Sequence, residues 1–357
     1  MNITSKHIYN HQNKSIYSYK LTNDKNFSCT ITNYGAAIMS ITFKTHDNNL
    51  QNLALGFKIF DTYINNSLYS GASLGPNAGR IAKGILPINN KVYTLSQNDN
   101  MNNLHGGFNN ISLQIWSLIK KCINKDSLSI TLSLNIPHGQ DGFPGNRTIY
   151  ATFLITNNNE VKIKYEGLSD VDTYLNLSNH CYFNLTGDFN TSILNHSLKI
   201  NADNYFENNE EHCAYNLSSV ENTPFDFKLN KKIKKQIDDF KSHPQLLLGK
   251  GYNNGFALNK DVSKTIPALV LVDPEGQTSL ELFTDAPAIV LYSGGYIEEG
   301  LLLNEGSLSK PSCALAIEPQ DYPNGPNLPF VKTSILRKGE KYERNIIYKF
   351  KIPQCRM

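Results

Sequence analysis

The chain has 357 residues, of which 40% are hydrophobic and 18% charged, and its formal net charge is +3 at neutral pH. These values are typical of a globular protein with a large core, so the composition excludes wholesale disorder. So small a net charge argues against a broad electrostatic surface for nucleic acid or for an anionic membrane.

The N-terminal segment, "MNITSKHIYNHQNKSIYSYK", is polar and lacks the apolar core of a secretory signal. No apolar run approaches the ~18 residues that span a bilayer. The cysteines are scattered without a CxxC pair, at Cys29, Cys122, Cys181, Cys213, Cys313 and Cys355. In a chain of this size, that scatter favours reduced, buried thiols over a disulfide framework. We therefore expect a cytoplasmic protein with neither a membrane nor a nucleic-acid partner.

Segments typical of β-strands recur along the chain, for example "LSITLSLNI", "NRTIYATFLIT" and "EVKIKYEGL", and "TNNNE" and "DPEG" are typical of hairpin connections. One helix is predicted near 229–243. Its apolar face comprises Ile233, Ile237 and Phe240, and its lysines are expected to face solvent. Because no repeat or linker divides the chain, the pattern predicts one all-β domain, residues 1–357. We expect a large antiparallel β-sandwich with few short helices.

The first segment with candidate chemistry is "GASLGPNAGRIAKG", residues 71–84, in which Arg80 lies among small residues suited to tight turns. On this evidence Arg80 either binds a ligand or satisfies loop carbonyls. A phosphate-binding loop is not predicted, because neither GxxxxGK[ST] nor GxGxxG is present.

The second segment is "NNLHGG", residues 102–107, in which His105 stands beside accessible backbone amides. An HGG sequence also occurs in the oxyanion loops of esterases. That interpretation needs a GxSxG nucleophile elbow, which the sequence lacks.

The third segment is "YLNLSNHCYFNLTG", which begins at Tyr174 and is interpreted as a strand with a histidine in its middle. The period of two predicts a core face and an opposite face that is polar and aromatic without Lys or Glu. The core face comprises Leu175, Leu177, Asn179, Cys181, Phe183 and Leu185, and the opposite face Tyr174, Asn176, Ser178, His180, Tyr182 and Asn184. The opposite face is unlike one that only meets water. His180 is therefore either a catalytic group or a hydrogen-bonded structural histidine.

The fourth segment is "CALAIEPQDYP", which begins at Cys313. Alternation places Ala314, Ala316, Glu318 and Gln320 on one face, and Cys313, Leu315, Ile317 and Pro319 on the other. The small residues leave room for a ligand. Since Pro319 lacks an amide hydrogen, the strand must end or lie at an edge there. Glu318 is either an acid–base group or an ion-pair partner for a lysine.

Metal-binding patterns are nearly absent from the sequence. There is no HExxH or CxxC, and the one close pair is His7 and His11 in the polar N-terminal arm. The sequence therefore predicts no metal site.

Six segments together resemble the aldose 1-epimerases, or galactose mutarotases. These are "GPNAGRIAKG", "NNLHGG", "LSNHCYFNLTG", "GKGYNNGFAL", "TDAPAIVLYSGG" and "AIEPQDYPNGPNLPF", in the family's order, within a match from about Tyr34 to Phe350. The resemblance implies a large antiparallel β-sandwich with a sugar cleft. It also implies an isomerase that interconverts the α and β anomers of free galactose- or glucose-type aldoses by ring opening, without a cofactor.

The resemblance also implies residue roles. Glu318 would be the base that takes the proton from the C1 hydroxyl, and His180 the acid that protonates the ring oxygen. Arg80 and His105 would hold the sugar, and Tyr182, on the face of His180, would flank the pocket.

Three positions depart from the family pattern. In "GYNNGF", Asn253 stands where the family usually has an Asp that accepts hydrogen bonds from sugar hydroxyls. Asn keeps one acceptor oxygen but loses the charge, so we expect weaker sugar binding or a shifted hydroxyl preference. In addition, Val290 replaces a Gln common among members, and Gly79 replaces an Asn.

Two alternative functions remain. A hexose-6-phosphate 1-epimerase would need more basic residues around the cleft than Arg80. A non-catalytic sugar-binding module is favoured by Asn253 but not by the retained His180 and Glu318. The sequence leaves open whether the protein is a monomer or a homodimer, and which aldose it prefers.

Overall fold

The computed structural model describes residues 1–45, 49–65, 67–262 and 265–353. Cys355 lies outside the described residues. In chain order the strands are β1 Asn2–His11, β2 Lys14–Thr22, β3 Ser28–Thr32, β4 Ala37–Lys44, β5 Leu50–Asn52, β6 Ser73–Leu74, β7 Arg80–Ile81, β8 Ile85–Ile88, β9 Lys91–Thr94, β10 Asn103–Leu104, β11 Ser117–Ile123, β12 Ser127–Ile136, β13 Arg147–Thr156, β14 Glu160–Ser169, β15 Ser178–Asn179, β16 Tyr182–Phe183, β17 Ser197–Ile200, β18 Ala202–Asn208, β19 Ala214–Ser219, β20 Lys231–Lys232, β21 Asn253–Leu258, β22 Leu269–Val272, β23 Ser279–Thr284, β24 Ala288–Tyr292, β25 Leu315–Gln320 and β26 Tyr342–Lys351. The α-helices are α1 Asp61–Asn65, α2 Ile233–Asp239 and α3 Pro244–Gly249.

Three large sheets dominate the described part of the chain. The strand orders are β1-β2-β3-β4-β5 in the first, β11-β12-β13-β14-β26-β23-β22-β17-β20 in the second and β16-β25-β24-β21-β18-β19 in the third. Neighbouring strands pair antiparallel, as in β13–β14 and β24–β25. This arrangement confirms the predicted all-β antiparallel sandwich.

The main core lies between the nine-stranded and six-stranded sheets. One sheet contributes side chains such as Phe153 and Tyr348, and the other contributes Leu291 and Ile317, all in one buried cluster. The Tyr348 hydroxyl donates a hydrogen bond to the Ile317 carbonyl at 3.4 Å across the two layers. Burying this apolar surface stabilises the sandwich by roughly 25 cal/mol per Å². Because one face of each strand is buried in this core, the residues on the opposite face are the ones that can line a functional site.

Both predicted hairpins are confirmed. β13 ends at Thr156 and β14 begins at Glu160, so "TNNNE" is the turn between them. "DPEG" lies between β22 and β23, where the Asp273 carboxylate accepts a hydrogen bond from the Gln277 amide at 2.8 Å. Such side chain-to-backbone bonds are typical of Asp-led turns.

The predicted helix near 229–243 is confirmed over a shorter range, as α2. It ends at Asp239, because the backbone of the following Phe240 is no longer helical. A second helix, α3, begins at Pro244 and was not predicted. Proline suits the first turn of a helix, because the amide hydrogen it lacks has no partner there. The lysines of α2 face solvent and pair along the helix, as Lys234 does with Asp238.

The interpretation of "YLNLSNHCYFNLTG" as one strand is wrong. Only β15 and β16 are strands, and they belong to different sheets, β15 pairing with β6 and β16 with β25. His180 lies in the break between them. Its amide donates to the Ala72 carbonyl at 2.9 Å and its carbonyl accepts from the Gly71 amide at 3.0 Å. The core face is nevertheless confirmed, since its apolar members all belong to the main core.

Four of the cysteines, Cys29, Cys181, Cys213 and Cys313, are buried free thiols, and Cys122 is a half-buried one. None of the described helices has the length and the apolar character that a bilayer crossing requires.

Candidate active site

All six site residues predicted from the sequence line one cavity of about 360 Å³: Arg80, His105, His180, Tyr182, Asn253 and Glu318. They come from five separated segments of the chain. The fold therefore brings together side chains that the sequence could only group by pattern.

The strand β25 positions Glu318. Ile317 and Leu315 point into the main core, so Glu318 points to the opposite face, as alternation predicted. Glu318 lies opposite Val290 on β24, and Val290 in turn lies opposite Gly255 on β21. These three residues form a row across the sheet that lines the cavity. Pro319 is the penultimate residue of β25, which confirms that the strand ends there.

Glu318 and His180 converge in the cavity. Nε2 of His180 lies 3.4 Å from Oε1 of Glu318, and the two residues are only 5% and 3% exposed. The second oxygen of Glu318, Oε2, is buried and has no hydrogen-bond partner among the described residues. This geometry excludes the open alternative that Glu318 is the ion-pair partner of a lysine within the described residues.

Burial shifts the pKa of both Glu318 and His180. Desolvation raises the pKa of Glu318 to about 8, against a smaller lowering by the positive charge of Arg80. Desolvation lowers the pKa of His180 to about 4. Both shifts follow from the cost of placing a charge away from water, and both favour the neutral form.

His105 is held in place by hydrogen bonds with Gly79, next to the short antiparallel pair β7–β10. β10 pairs with β7 so that Leu104 lies opposite Arg80, and His105 follows beside Gly79. The Gly79 amide donates to Nδ1 of His105 at 3.1 Å, and the His105 amide donates to the Gly79 carbonyl at 3.0 Å. Burial, together with the charges of His180 and Arg80, lowers the pKa of His105 well below its usual value. The neutral ring therefore carries its proton on Nε2, as a hydrogen-bond donor.

Arg80 is fixed by an ion pair. Its Nε donates to Oδ2 of Asp99 at 2.6 Å, and both side chains are about a quarter exposed. The alternative that Arg80 satisfies loop carbonyls is not supported, because its side chain bonds Asp99 and no carbonyl among the described residues. Asp99 was not predicted from the sequence, because nothing in "LSQNDN" links it to Arg80, 19 positions earlier.

Tyr182 and Asn253 complete the predicted set. The Tyr182 ring packs against His180 with a centroid distance of 4.8 Å, and burial raises the pKa of its phenol well above the usual value, so the hydroxyl stays protonated. Asn253 begins β21, where its carbonyl accepts a hydrogen bond from the Asn208 side chain at 2.7 Å. Asn253 is half-buried, so its amide can meet a ligand at the cavity mouth.

The cavity has further polar and aromatic lining residues that sequence analysis did not assign to the site: Tyr69, Asp99, Asn208, His212, Tyr292, Tyr296 and Gln320. Tyr69 meets His105 edge to face with a centroid distance of 4.8 Å. Most of these residues lie in loops or at strand ends, where no periodicity marks them. Gln320 was placed on the face of Glu318 but given no role.

His105, His180 and Glu318 also form a group in which one ligating atom of each lies within 4.8 Å of the others. Two imidazoles and a carboxylate are donors that Zn²⁺ and iron accept. The sequence predicted no metal site, and its spacing could not reveal this group because the three residues come from distant segments.

The chain matches the family model "Aldose 1-epimerase" over residues 17–349. It is 34% identical to an aldose 1-epimerase of Haemophilus influenzae, with 93% of this chain and 94% of that protein covered. It is 27% identical to the galactose mutarotase of Homo sapiens, with 90% of each chain covered. A solved structure of a galactose 1-epimerase from Lactobacillus acidophilus matches with a TM-score of 0.86 and 26% identity, covering 99% of both chains. This chain belongs to the aldose 1-epimerase family.

Proposed function

We propose that this protein interconverts the α and β anomers of free galactose- or glucose-type aldoses, and that Glu318 and His180 carry the proton transfers. The observation that carries the proposal is the convergence of these two side chains, 3.4 Å apart, inside one buried cavity. Family membership and the activities named for the relatives point to the same reaction.

The reaction needs a base and an acid acting on one hemiacetal. Oε2 of Glu318, which has no partner among the described residues, accepts the proton of the C1 hydroxyl. The electron pair of that O–H bond forms the aldehyde C=O bond, and the ring C–O bond breaks. His180 then donates a proton to the ring oxygen. Rotation about C1–C2 and the reverse transfers close the ring on the other face.

The electrostatics of the pair suit this cycle. The reactive state has Glu318 ionised and His180 protonated, and ring opening converts both groups to their neutral forms. Since burial favours the neutral forms, it raises the basicity of Glu318 and the acidity of His180 together. Each positioned group contributes ~10²–10⁴-fold in such reactions.

The remaining predicted residues orient the sugar. Nε2–H of His105 and the guanidinium of Arg80 are donors to ring hydroxyls or to the ring oxygen. Tyr182 supplies an aromatic wall beside His180, and Asn253 offers an amide at the cavity mouth.

The alternative of a hexose-6-phosphate 1-epimerase is less well supported. Among the described lining residues Arg80 is the one Lys or Arg, and Asp99 already neutralises it. A phosphate ester would need an unpaired cation at this place. A non-catalytic sugar-binding module would not need a buried acid–base pair.

The setting of the protein is part of the proposal. We propose that residues 1–357 form a single domain, acting in the cytoplasm on a small sugar without a nucleic-acid partner, as a monomer or homodimer. The free thiols of Cys29, Cys181, Cys213 and Cys313 fit a reducing compartment.

Polarimetry of freshly dissolved α-galactose and α-glucose tests the function. We expect wild type to speed mutarotation, and Glu318→Gln and His180→Asn to lose ~10²–10⁴-fold each. Glu343→Gln, which alters an exposed carboxylate, is the matched control and should retain activity.

Two further arms belong to this experiment. Protein treated with EDTA should keep its activity, because the proton transfers require only the two side chains. Glucose 6-phosphate should be a poorer substrate than glucose. Activity that survives both Glu318→Gln and His180→Asn would contradict the proposed mechanism.

A further inference from the structure

Gln320 is a buried side chain whose amide makes no hydrogen bond within the described residues. The residue is 0% exposed, and both Oε1 and Nε2 lack a partner. Leaving a buried amide unpaired is costly, and native structures rarely do so without a reason. Gln320 also lines the cavity that holds Glu318 and His180.

The strand fixes where this amide lies relative to the reacting groups. Glu318 and Gln320 are two residues apart on β25, so they share a face and their Cα atoms are about 7 Å apart. Cross-strand pairing holds both, Glu318 opposite Val290 and Gln320 opposite Ala288. Gln320 therefore presents its amide to the same cavity as Glu318, two residues further along the strand.

Gly79 makes room for this amide. Gly79 has a φ of +74°, and a Cβ added there would lie 2.9 Å from Oε1 of Gln320. The same Gly79 donates its amide to His105. The small residue thus leaves room for the Gln320 amide in the cavity wall, close to the Gly79 amide that holds His105.

We propose that Gln320 is a specificity-determining residue that hydrogen-bonds one hydroxyl, or two adjacent hydroxyls, of the aldose ring away from C1. This inference rests on the proposed function. A carboxamide offers an acceptor oxygen and two donor hydrogens, and a sugar hydroxyl is both donor and acceptor, so the two groups match. A site built to bond a hydroxyl discriminates against the sugar that lacks it, because the protein group then stays unpaired in the complex.

The test compares wild type with Gln320→Leu on glucose and on its 2-, 3-, 4- and 6-deoxy derivatives. We expect Gln320→Leu to lower kcat/KM for glucose about tenfold, mainly through KM. Wild type should discriminate against one deoxy sugar, or two adjacent ones, by a similar factor. Gln320→Leu should lose that discrimination and keep the others.

Stability supplies a second readout. Gln320→Leu removes no hydrogen bond found among the described residues, so its melting temperature should equal or exceed that of wild type. Gln236→Leu is the matched control. The Gln236 amide is also buried but donates to the Asp226 carbonyl at 3.2 Å. This control should melt lower and keep the wild-type sugar preference.

The outcomes separate the two proposals. If Gln320→Leu discriminates among the deoxy sugars as wild type does, the role of Gln320 is wrong, although mutarotation stands. If wild type accelerates mutarotation of no sugar, the proposed function is wrong. The same panel read by sugar-induced shifts in melting temperature then still decides whether Gln320 contacts a hydroxyl. Equal shifts for every deoxy sugar in both proteins would overturn the contact.

Discussion

Glu318 and His180 share one proton over a wide range of pH. Burial raises the pKa of Glu318 to about 8 and lowers that of His180 to about 4. Between these values the pair holds one proton, located on Glu318 or, in the arrangement proposed to be reactive, on His180. Because Nε2 of His180 lies 3.4 Å from Oε1 of Glu318, the proton can pass between the two side chains.

The pH profile of kcat/KM follows from this sharing. Below pH 4 the pair gains a second proton and has no base, and above pH 8 it loses its last proton and has no acid. We expect a broad maximum between these limits, measured by polarimetry after subtraction of buffer catalysis. Activity that only begins to rise near pH 8 would show that ionised Glu318 acts without protonated His180.

Asn253 is expected to limit sugar affinity. Hydrogen bonds to a charged acceptor contribute ~1.5–3 kcal/mol and those to a neutral one ~0.5–1.5 kcal/mol. The difference of about 1 kcal/mol corresponds to roughly fivefold in affinity. Asn253→Asp should therefore lower KM for galactose or glucose about fivefold and leave kcat nearly unchanged.

The control for this substitution is Asn158→Asp, which makes the same chemical change at an exposed position in the turn between β13 and β14. It should leave both constants as they are in wild type. An unchanged or higher KM in Asn253→Asp would count against a hydroxyl contact at this position.

At the scale of the elements, alternation predicted β25 well and β15–β16 poorly. β25 lies inside one sheet and keeps a regular pleat. A period of two is therefore enough to place Glu318 and Ile317 on opposite faces of the strand. His180 lies where the chain passes from one sheet to another. The alternation of polar and apolar residues continues through the break. Its position is set by the hydrogen bonds of His180 to Gly71 and Ala72, which lie about 100 positions earlier in the chain and cannot be read from the segment itself.

The residue at position 290 on β24 should influence the pKa of Glu318 on β25. Val290 lies opposite Glu318 and presents an apolar side chain to it. Directly opposed Cβ atoms are only ~4.5–5.5 Å apart, so an amide at position 290 can donate to the carboxylate. Such a bond favours the ionised form and lowers the pKa of Glu318.

Val290→Gln should therefore shift the alkaline limb of the kcat/KM profile to lower pH. Val290→Leu, which stays apolar, is the control and should leave that limb in place. If both variants have the alkaline limb of the kcat/KM profile at the wild-type pH, then that limb does not report the pKa of Glu318.

At the scale of the whole molecule, the six predicted residues could be grouped because each one lies in a short segment with its own pattern, and the structure places all six around one cavity. Asp99, Tyr69 and His212 could not be found in this way. Their place in the cavity depends on how loops far apart in the sequence meet above the third sheet, and a single sequence holds no local signal for that meeting.

The buried carboxylate should also affect the stability of the whole fold. Its folded-state pKa of about 8 lies above its ordinary value of 4.5, so the folded state binds the proton more tightly than the unfolded state does. The favourable contribution is complete below pH 4.5 and is lost as pH rises to about 8. The loss amounts to about 5 kcal/mol, at ~1.4 kcal/mol per pH unit.

Glu318→Gln removes this titration, so urea unfolding at pH 4.5, 6, 7 and 8.5 should separate the two proteins progressively. The free energy of unfolding of the variant should match that of wild type at the lowest pH and exceed it increasingly up to about pH 8. Glu166→Gln provides a control of opposite sign, because the hydrogen bond from Lys341 lowers the pKa of Glu166. That variant should be less stable than wild type at all four of these pH values, because the stabilisation is lost only as pH falls below 4.5 through the lowered pKa of Glu166. Parallel curves for wild type and Glu318→Gln would mean that Glu318 is not desolvated in the folded protein.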